Sequence, residues 1–314
     1  MTPGKSYLST EEIRPLAARS NAMGAWLVLH CWGTIACALT LFALWPNPLT
    51  FVLAIMIIGS RQLGLAILMH EAAHNALFKN RKWNDRIGEW LCGRPILAEL
   101  AAYRHYHLTH HRFTQSEKDP DLVLSSKFPT TKASLQRKFT RDLTGQTGTK
   151  QLIGQPLMSI RLAGDDDAME AAASDFAQSF KASHLWHALP VFIGVALGMS
   201  LVGDWWWGLA FWVLPYLTWF QFVLRVRNIA EHGATEQSDN PLQNVRTTKA
   251  GPIARLFVAP YWVNYHLEHH MVMHVPCWQL KNMHKALLNK GIGPDMRIAS
   301  GYGQALAEAG WKRG

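Results

Sequence analysis

His266-Leu267-Glu268-His269-His270 decides how this chain is read. The same spacing recurs upstream as His107-Leu108-Thr109-His110-His111. That segment is preceded by His70-Glu71-Ala72-Ala73-His74, and Asn228-Ile229-Ala230-Glu231-His232 lies between the two repeats. On a helix, residues i, i+3 and i+4 share one face. Each segment, when helical, therefore aims two or three imidazoles at one point. Nine of the 15 histidines fall in these segments. Neutral imidazole is the commonest nitrogen ligand for iron, copper and zinc. Nine rings exceed what one tetrahedral zinc can use, so the count points to two metal ions.

The rest of the chain says where such a centre sits. Its 314 residues allow one large domain or two. Only 17% are charged, against roughly 25% in soluble domains. Mean hydropathy is near zero, so a strongly apolar part is averaged with a polar one. Residues 24–45 carry no charge, and 49–69 are apolar apart from Arg61-Gln62; Pro46-Asn47-Pro48 turns between them. Each run suffices for a hydrocarbon core of about 30 Å, which takes roughly 20 residues. A second pair, 185–202 and 205–224, joins through Gly203-Asp204. Residues 87–102, with Gly93-Arg94-Pro95 in the middle, read as a short interfacial or re-entrant helix pair. Gly145 to Gly148 reads as a loop, and Asp165-Asp166-Asp167 as a solvated turn or helix start. No removable signal peptide is expected. Cys31, Cys37, Cys92 and Cys277 form no CxxC pair and read as reduced packing residues.

The expected fold is all-α and integral to the membrane. It has a polar segment 1–23, a transmembrane hairpin 24–69, and a region 70–183 with the first two histidine clusters. A second hairpin 184–224 and a region 225–314 follow. Lysines and arginines number three in 1–23, sixteen in 70–183 and eleven in 225–314; the hairpin turns hold none, and Arg61 lies inside a span. The positive-inside rule places the basic face, both termini and every histidine cluster in the cytoplasm, as a helical cap on four spans. This also accounts for the net charge of +9 without nucleic acid. Such a face attracts anionic lipid or an acidic partner.

The candidate ligands are His70, His74, His107, His110, His111, His232, His266, His269 and His270. Asn228, one turn before His232, offers an amide oxygen directly or through water. His105 is left out, because a helix points it away from His107. Glu71, Asp119, Glu231 and Glu268 lie beside the ligands, where carboxylates accept the second imidazole N–H and fix its tautomer. Arg61, about 13 Å along a helix from His70, either anchors substrate, pairs within the bundle or snorkels outward. His70-Glu71-Ala72-Ala73-His74 also fits the HExxH zinc-protease motif, but that reading leaves seven clustered histidines without a task. Transport is disfavoured because the histidines gather at one face and not mid-membrane. Two irons with O2 can remove hydrogen from an unactivated C–H bond, which no acid or base side chain can do.

On these boxes the sequence resembles the membrane fatty acid desaturases. The family's three boxes match His70-x3-His74, His107-x2-His110-His111 and His266-x2-His269-His270. Arg104 matches the arginine before the second box, and Asp119-Pro120-Asp121 looks like the segment after it. Asn228-x3-His232 is similar to additional ligands in stearoyl-CoA desaturase-like members. Asn264-Tyr265-His266 and Val275-Pro276 are similar to bacterial acyl-lipid desaturases; Met273 departs from a frequent proline, and His274 is an extra histidine at the surface or in a substrate channel. The resemblance covers roughly residues 50–290. It implies a di-iron enzyme of a bacterial inner membrane that dehydrogenates a lipid acyl chain with O2. Electrons come from a separate ferredoxin or cytochrome b5-type donor, there being no room for a fused one. Hydroxylases and carotenoid ketolases share the boxes and stand as the alternative.

Overall fold

The computed structural model describes residues 7–153 and 182–310. Most of them, 71%, are helical, as apolar runs bounded by capping residues dictate. After a short helix α1 (Thr10–Leu16), α2 (Asn21–Leu44) starts where the Ser20 hydroxyl accepts the Met23 N–H. Trp45 ends it. Asn47 then caps α3 (Pro48–Ala73), its side chain accepting the Leu49 and Thr50 N–H groups, with Pro48 at the first helical position, where its missing N–H costs nothing. This tight hairpin packs α2 along α3. From Ile58 to Ala73 nearly every residue of α3 is buried, which makes it the central helix of the bundle.

α4 (Arg81–Ile87) runs into a wide π turn at Gly88–Gly93 and a tight turn at Arg94–Ile96 that pack against α3. This is the short helical excursion expected at 87–102, and Leu97, at φ 61°, ends it. α5 (Leu100–Phe113) carries the second histidine box, and α6 (Lys132–Leu143) follows. Gly145 to Gly148 is not a loop. Only Thr144 and Gly145 form the turn, Gly145 taking φ +78°, and residues 146–153 are helical. The Asp165-Asp166-Asp167 run lies outside the described residues.

α7 (Ala182–Val202) and α8 (Leu209–His232) form the second hairpin. α8 begins later than the start of the apolar run at residue 205, and it runs on past the end of that run at 224 to His232, as the Asn228-x3-His232 spacing requires. It opens with a π turn at Leu209–Val213, breaks at Thr218, and continues through polar residues to His232. Polarity ended the apolar run without ending the helix, because the last turns are buried, Ile229 beside Leu135 and Ala309 and Ala230 beside Ala299 and Ala305. Buried Asp142 of α6 receives a 2.9 Å hydrogen bond from Arg225 Nη2 and a second from its Nε, tying α6 to α8.

Among the described residues α2, α3 and α8 are long and apolar enough to cross a membrane, and Trp186–Val202 of α7 is a shorter apolar helix. These helices make the chain an integral membrane protein. The remainder folds as short helices: α9 (Pro252–Phe257), α10 (His266–Met271), α11 (Leu280–Asn289) and α12 (Tyr302–Ala309). One departure from all-α is a parallel pair of two-residue strands, β1 (Thr247–Thr248) and β2 (Ile298–Ala299). All four cysteines are free, and Cys31, Cys92 and Cys277 are buried as packing residues.

Candidate metal centre

Four helix ends meet at one point. α3 supplies His70, with His74 as its C-cap; α5 supplies His107, His110 and His111; α8 ends on His232; α10 is the third box. Two pockets of ligand atoms result. His70, His74, His107, His111 and His269 converge in one, their nitrogens all within 4.8 Å of one another. His110, His232 and His270 converge in the other, which His266 and Glu231 complete through His232.

The HxxHH spacing explains this partition. In each box the i, i+4 pair points to one side, and the remaining histidine lies about 100° around the helix. His107 and His111 therefore join the first box, while His110 crosses to the second pocket. His266 and His270 join His232, while His269 crosses to the first. Each repeated box contributes to both pockets, and so holds them side by side.

The distances fit metal ions. An ion about 2.1 Å from two imidazole nitrogens at a right angle sets them about 3.0 Å apart. The Nε2 atoms of His107 and His111 are 3.0 Å apart, as are those of His111 and His269. In the second pocket His232 and His266 stand at 2.9 Å, and His266 and His270 at 3.1 Å. The Nε2 atoms of His70, His74 and His110 are buried without a hydrogen-bond partner. Buried unpaired imidazole nitrogens are costly unless something else binds them.

Burial also prepares the donors. Loss of water pushes His74 down to about 3 and holds His107, His111, His266, His269 and His270 well below the ordinary imidazole value. All are neutral at pH 7, with lone pairs free for a cation. Unfolded imidazoles take up protons near pH 6.5, which the buried ones refuse, so acid favours the unfolded chain. The metal-stripped protein is therefore expected to lose stability progressively as pH falls below 6.5. Tryptophan-monitored melting between pH 7.5 and 5 checks this; a flat profile would contradict it.

The neighbours divide into those that touch the rings and those that do not. Asp119 Oδ1 lies 2.7 Å from His110 Nδ1 and also accepts the Asp121 N–H, while Oδ2 accepts that of Gln115. It thus fixes the tautomer that turns His110 Nε2 inward. Asp119→Asn is expected to weaken metal binding about 10–100-fold, as measured by chelator competition. Glu71 lies 3.5 Å from His70 Nδ1 and accepts the Cys277 N–H. Glu231 reaches His266 Nε2 at 3.4 Å and is held by Arg227 at 2.7 Å. Its carboxylate thus stands among the ligand atoms and not behind them. Glu268 turns away from the cluster, to the Thr247 hydroxyl and His284 Nδ1, each at 2.5 Å. Arg104 donates to the Ala72 and Ala73 carbonyls at 3.0 Å and pairs with Asp85, capping the helix that bears the first box. Asn228 is half-buried one turn before His232, His105 is exposed, and His274 is half-buried.

Other residues at the site were not singled out in the sequence. Tyr103 stacks on His107 with ring centres 5.2 Å apart. Thr114 Oγ1 lies 3.2 Å from His270 Nδ1. Buried Arg246 donates to the Ile229 and Ala230 carbonyls near the end of α8. Tyr103 and Thr114 flank the second box within one helical turn, which was the available signal; Arg246 gave none.

Comparison with known proteins agrees with this chemistry. The chain is 29% identical over 283 residues to dihydrorhizobitoxine desaturase of Bradyrhizobium elkanii, covering 88% of this chain and 76% of that protein. It is 25% identical over 294 residues to beta-carotene ketolase of Paracoccus sp. (strain PC1), covering 91% and 98%. The model of the family described as Fatty acid desaturase matches residues 43–294, a stretch that holds every histidine of both pockets. The chain is an oxidoreductase enzyme and belongs to the fatty acid desaturase family.

Proposed function

We propose that the enzyme introduces a double bond into the acyl chain of a membrane lipid, with two irons held by the nine histidines and Glu231, Asn228 standing by as a further oxygen donor. One observation carries this reading. Two adjacent imidazole pockets, buried but for a half-buried His111, are knitted together by repeated HxxHH boxes, an arrangement that one zinc site does not need. Bound there, the irons with O2 supply the oxidising power to take hydrogen from an unactivated carbon. The protein's own part is to keep the rings neutral, fix the His110 tautomer through Asp119, and exclude water.

The same reading places four spans in a bacterial inner membrane, with α7 as the fourth. Both hairpin turns lie at one end, where Trp45 and Trp205 are exposed; Trp26, Trp83, Trp90 and Trp186 are exposed towards the histidine end. Two aromatic girdles are what the two interfaces of a bilayer select. The basic end faces the cytoplasm and receives a separate electron donor. With an acidic ferredoxin as donor, turnover is expected to fall as salt rises, through loss of association rate. Salt-independent turnover would remove this docking mode.

Likeness to a beta-carotene ketolase over 98% of that protein's length supports a second reading, in which oxygen is added. Expression in a host of known lipid content, followed by mass analysis, separates the two. Loss of two hydrogens from an acyl chain, with the double bond located, supports desaturation; gain of oxygen supports the second reading.

A further inference from the structure

Arg61 sits in the middle of α3, within a span, and is 3% exposed. It does not snorkel. Its Nη2 donates to the Leu256 carbonyl at 2.6 Å, its Cζ lies 5.7 Å from the centre of the Tyr261 ring, and its Nε has no partner among the described residues. No acid among the described residues forms an ion pair with it. A buried cation in an apolar span is expensive, and one carbonyl compensates little of its charge.

The surroundings of Arg61 are built in an unusual way. Tyr261 and Trp262 both take positive φ, 54° and 58°, a left-handed conformation that costs bulky residues energy. Such outliers persist where the surrounding structure over-determines them, and they cluster at functional sites. Gly64 makes room for the ring, since a Cβ there would stand 2.9 Å from Tyr261 Cε2. On its outer side the Tyr261 hydroxyl lies 3.2 Å from Nδ1 of His30, which is exposed on the apolar helix α2. A polar path thus runs from the lipid-facing surface at His30, past the Tyr261 phenol, to the Arg61 guanidinium. Both inner elements lead on to the metal pockets: Arg61 precedes His70 by nine residues on α3, and Tyr261 precedes His266 by five.

We infer that His30, Tyr261 and Arg61 form a lateral site that binds the oxygen-bearing end, carboxylate or ester carbonyl, of an acyl chain arriving from within the bilayer. The inference rests on the acyl-chain reading above, and adds where and by what chemistry the polar end is held. Arg61 supplies the charge that an oxyanion or carbonyl satisfies, Tyr261 a hydroxyl donor, and His30 the polar rim at the lipid boundary.

Binding without turnover tests it. The iron-loaded protein in lipid nanodiscs is titrated with hexadecanoic acid brominated at mid-chain, with its methyl ester, and with hexadecane brominated likewise. Quenching of tryptophan fluorescence reads occupancy; Trp262 adjoins Tyr261, and Trp219 donates to Ser60 beside Arg61. The native protein is expected to prefer the acid over the alkane about tenfold or more, the worth of one charge-assisted hydrogen bond. Arg61→Met is expected to abolish that preference and leave alkane binding unchanged; Arg61→Lys keeps part of it. Preference for the ester over the alkane, retained in Arg61→Met but lost in Tyr261→Phe, assigns the carbonyl to the phenol and supports the same site. Equal binding of acid, ester and alkane by the native protein overturns the proposal, as does an unaltered preference in Arg61→Met. Should Arg61→Met lose its iron, Tyr261→Phe and His30→Ala decide, an unaltered preference in both being contrary. A failed desaturation assay leaves these binding results legible, so the two readings fail separately.

Discussion

His107→Ala is expected to remove product below detection while the protein stays in the membrane. His107 lies between its neighbours in the first pocket: its ring centre is 4.4 Å from that of His70, 4.9 Å from His74 and 4.5 Å from His111. Removing it takes a donor from the centre of a five-ring set and leaves Tyr103 without its stacking partner. Several kcal/mol of metal assistance are lost, which corresponds to a rate decrease on the order of 10³-fold or more. Metal content is expected to fall from two ions per chain towards one or none, measured on purified protein beside its lipid product. His105→Ala, two residues away but exposed, is the control and is expected to behave as the native enzyme. Native turnover by His107→Ala would remove it from the ligand set.

The second large effect concerns the arginines that close the histidine-bearing helices. The last carbonyls of a helix lack partners within it. Arg104 takes those of Ala72 and Ala73 at the end of α3, and Arg246 takes those of Ile229 and Ala230 near the end of α8. Each guanidinium therefore fixes the turn from which a candidate ligand projects, His74 in one case and His232 in the other. Arg104→Leu takes the side-chain donor from the Ala73 carbonyl, and Arg246→Leu leaves that of Ala230 with the Thr248 hydroxyl at 3.4 Å, while the Ala72 and Ile229 carbonyls keep the Asn84 side chain and the Gly233 N–H; each weakened buried carbonyl costs about 1–3 kcal/mol. The ion pairs to Asp85 and Glu308 add little, because both carboxylates are partly exposed. Either variant is expected to unfold at lower temperature and to lose metal and product together. Lysine is expected to rescue only in part, since it cannot reproduce the planar fork. Melting followed by circular dichroism, with metal analysis of the same sample, checks this; native stability and metal content in both leucine variants would contradict the capping role.

Much of the site was legible in the sequence because it depends on spacing. HxxHH and HxxxH place ligands on one face of any helix, and the apolar runs before His70 and before His232 put those helices at a membrane boundary. Asp119 was readable as a partner of the second box because it follows in the same local segment. What was not legible depends on which elements meet. Glu268 sits between two ligands in the sequence, yet its carboxylate bonds Thr247 of β1 and His284 of α11, elements whose positions only the fold sets. The spacing splits each HxxHH box two rings to one, but which boxes share a pocket depends on how the helices that bear them come together. Arg61 was open among three fates, and burial between α3, α9 and Tyr261 removed snorkelling.

Counting metal on the purified, active enzyme tests the central claim most directly. Elemental analysis joined to iron Mössbauer spectroscopy is expected to give two irons per chain in nitrogen-rich surroundings, both lost when His107 and His232 are replaced together. A fully active enzyme holding a single metal ion would contradict it.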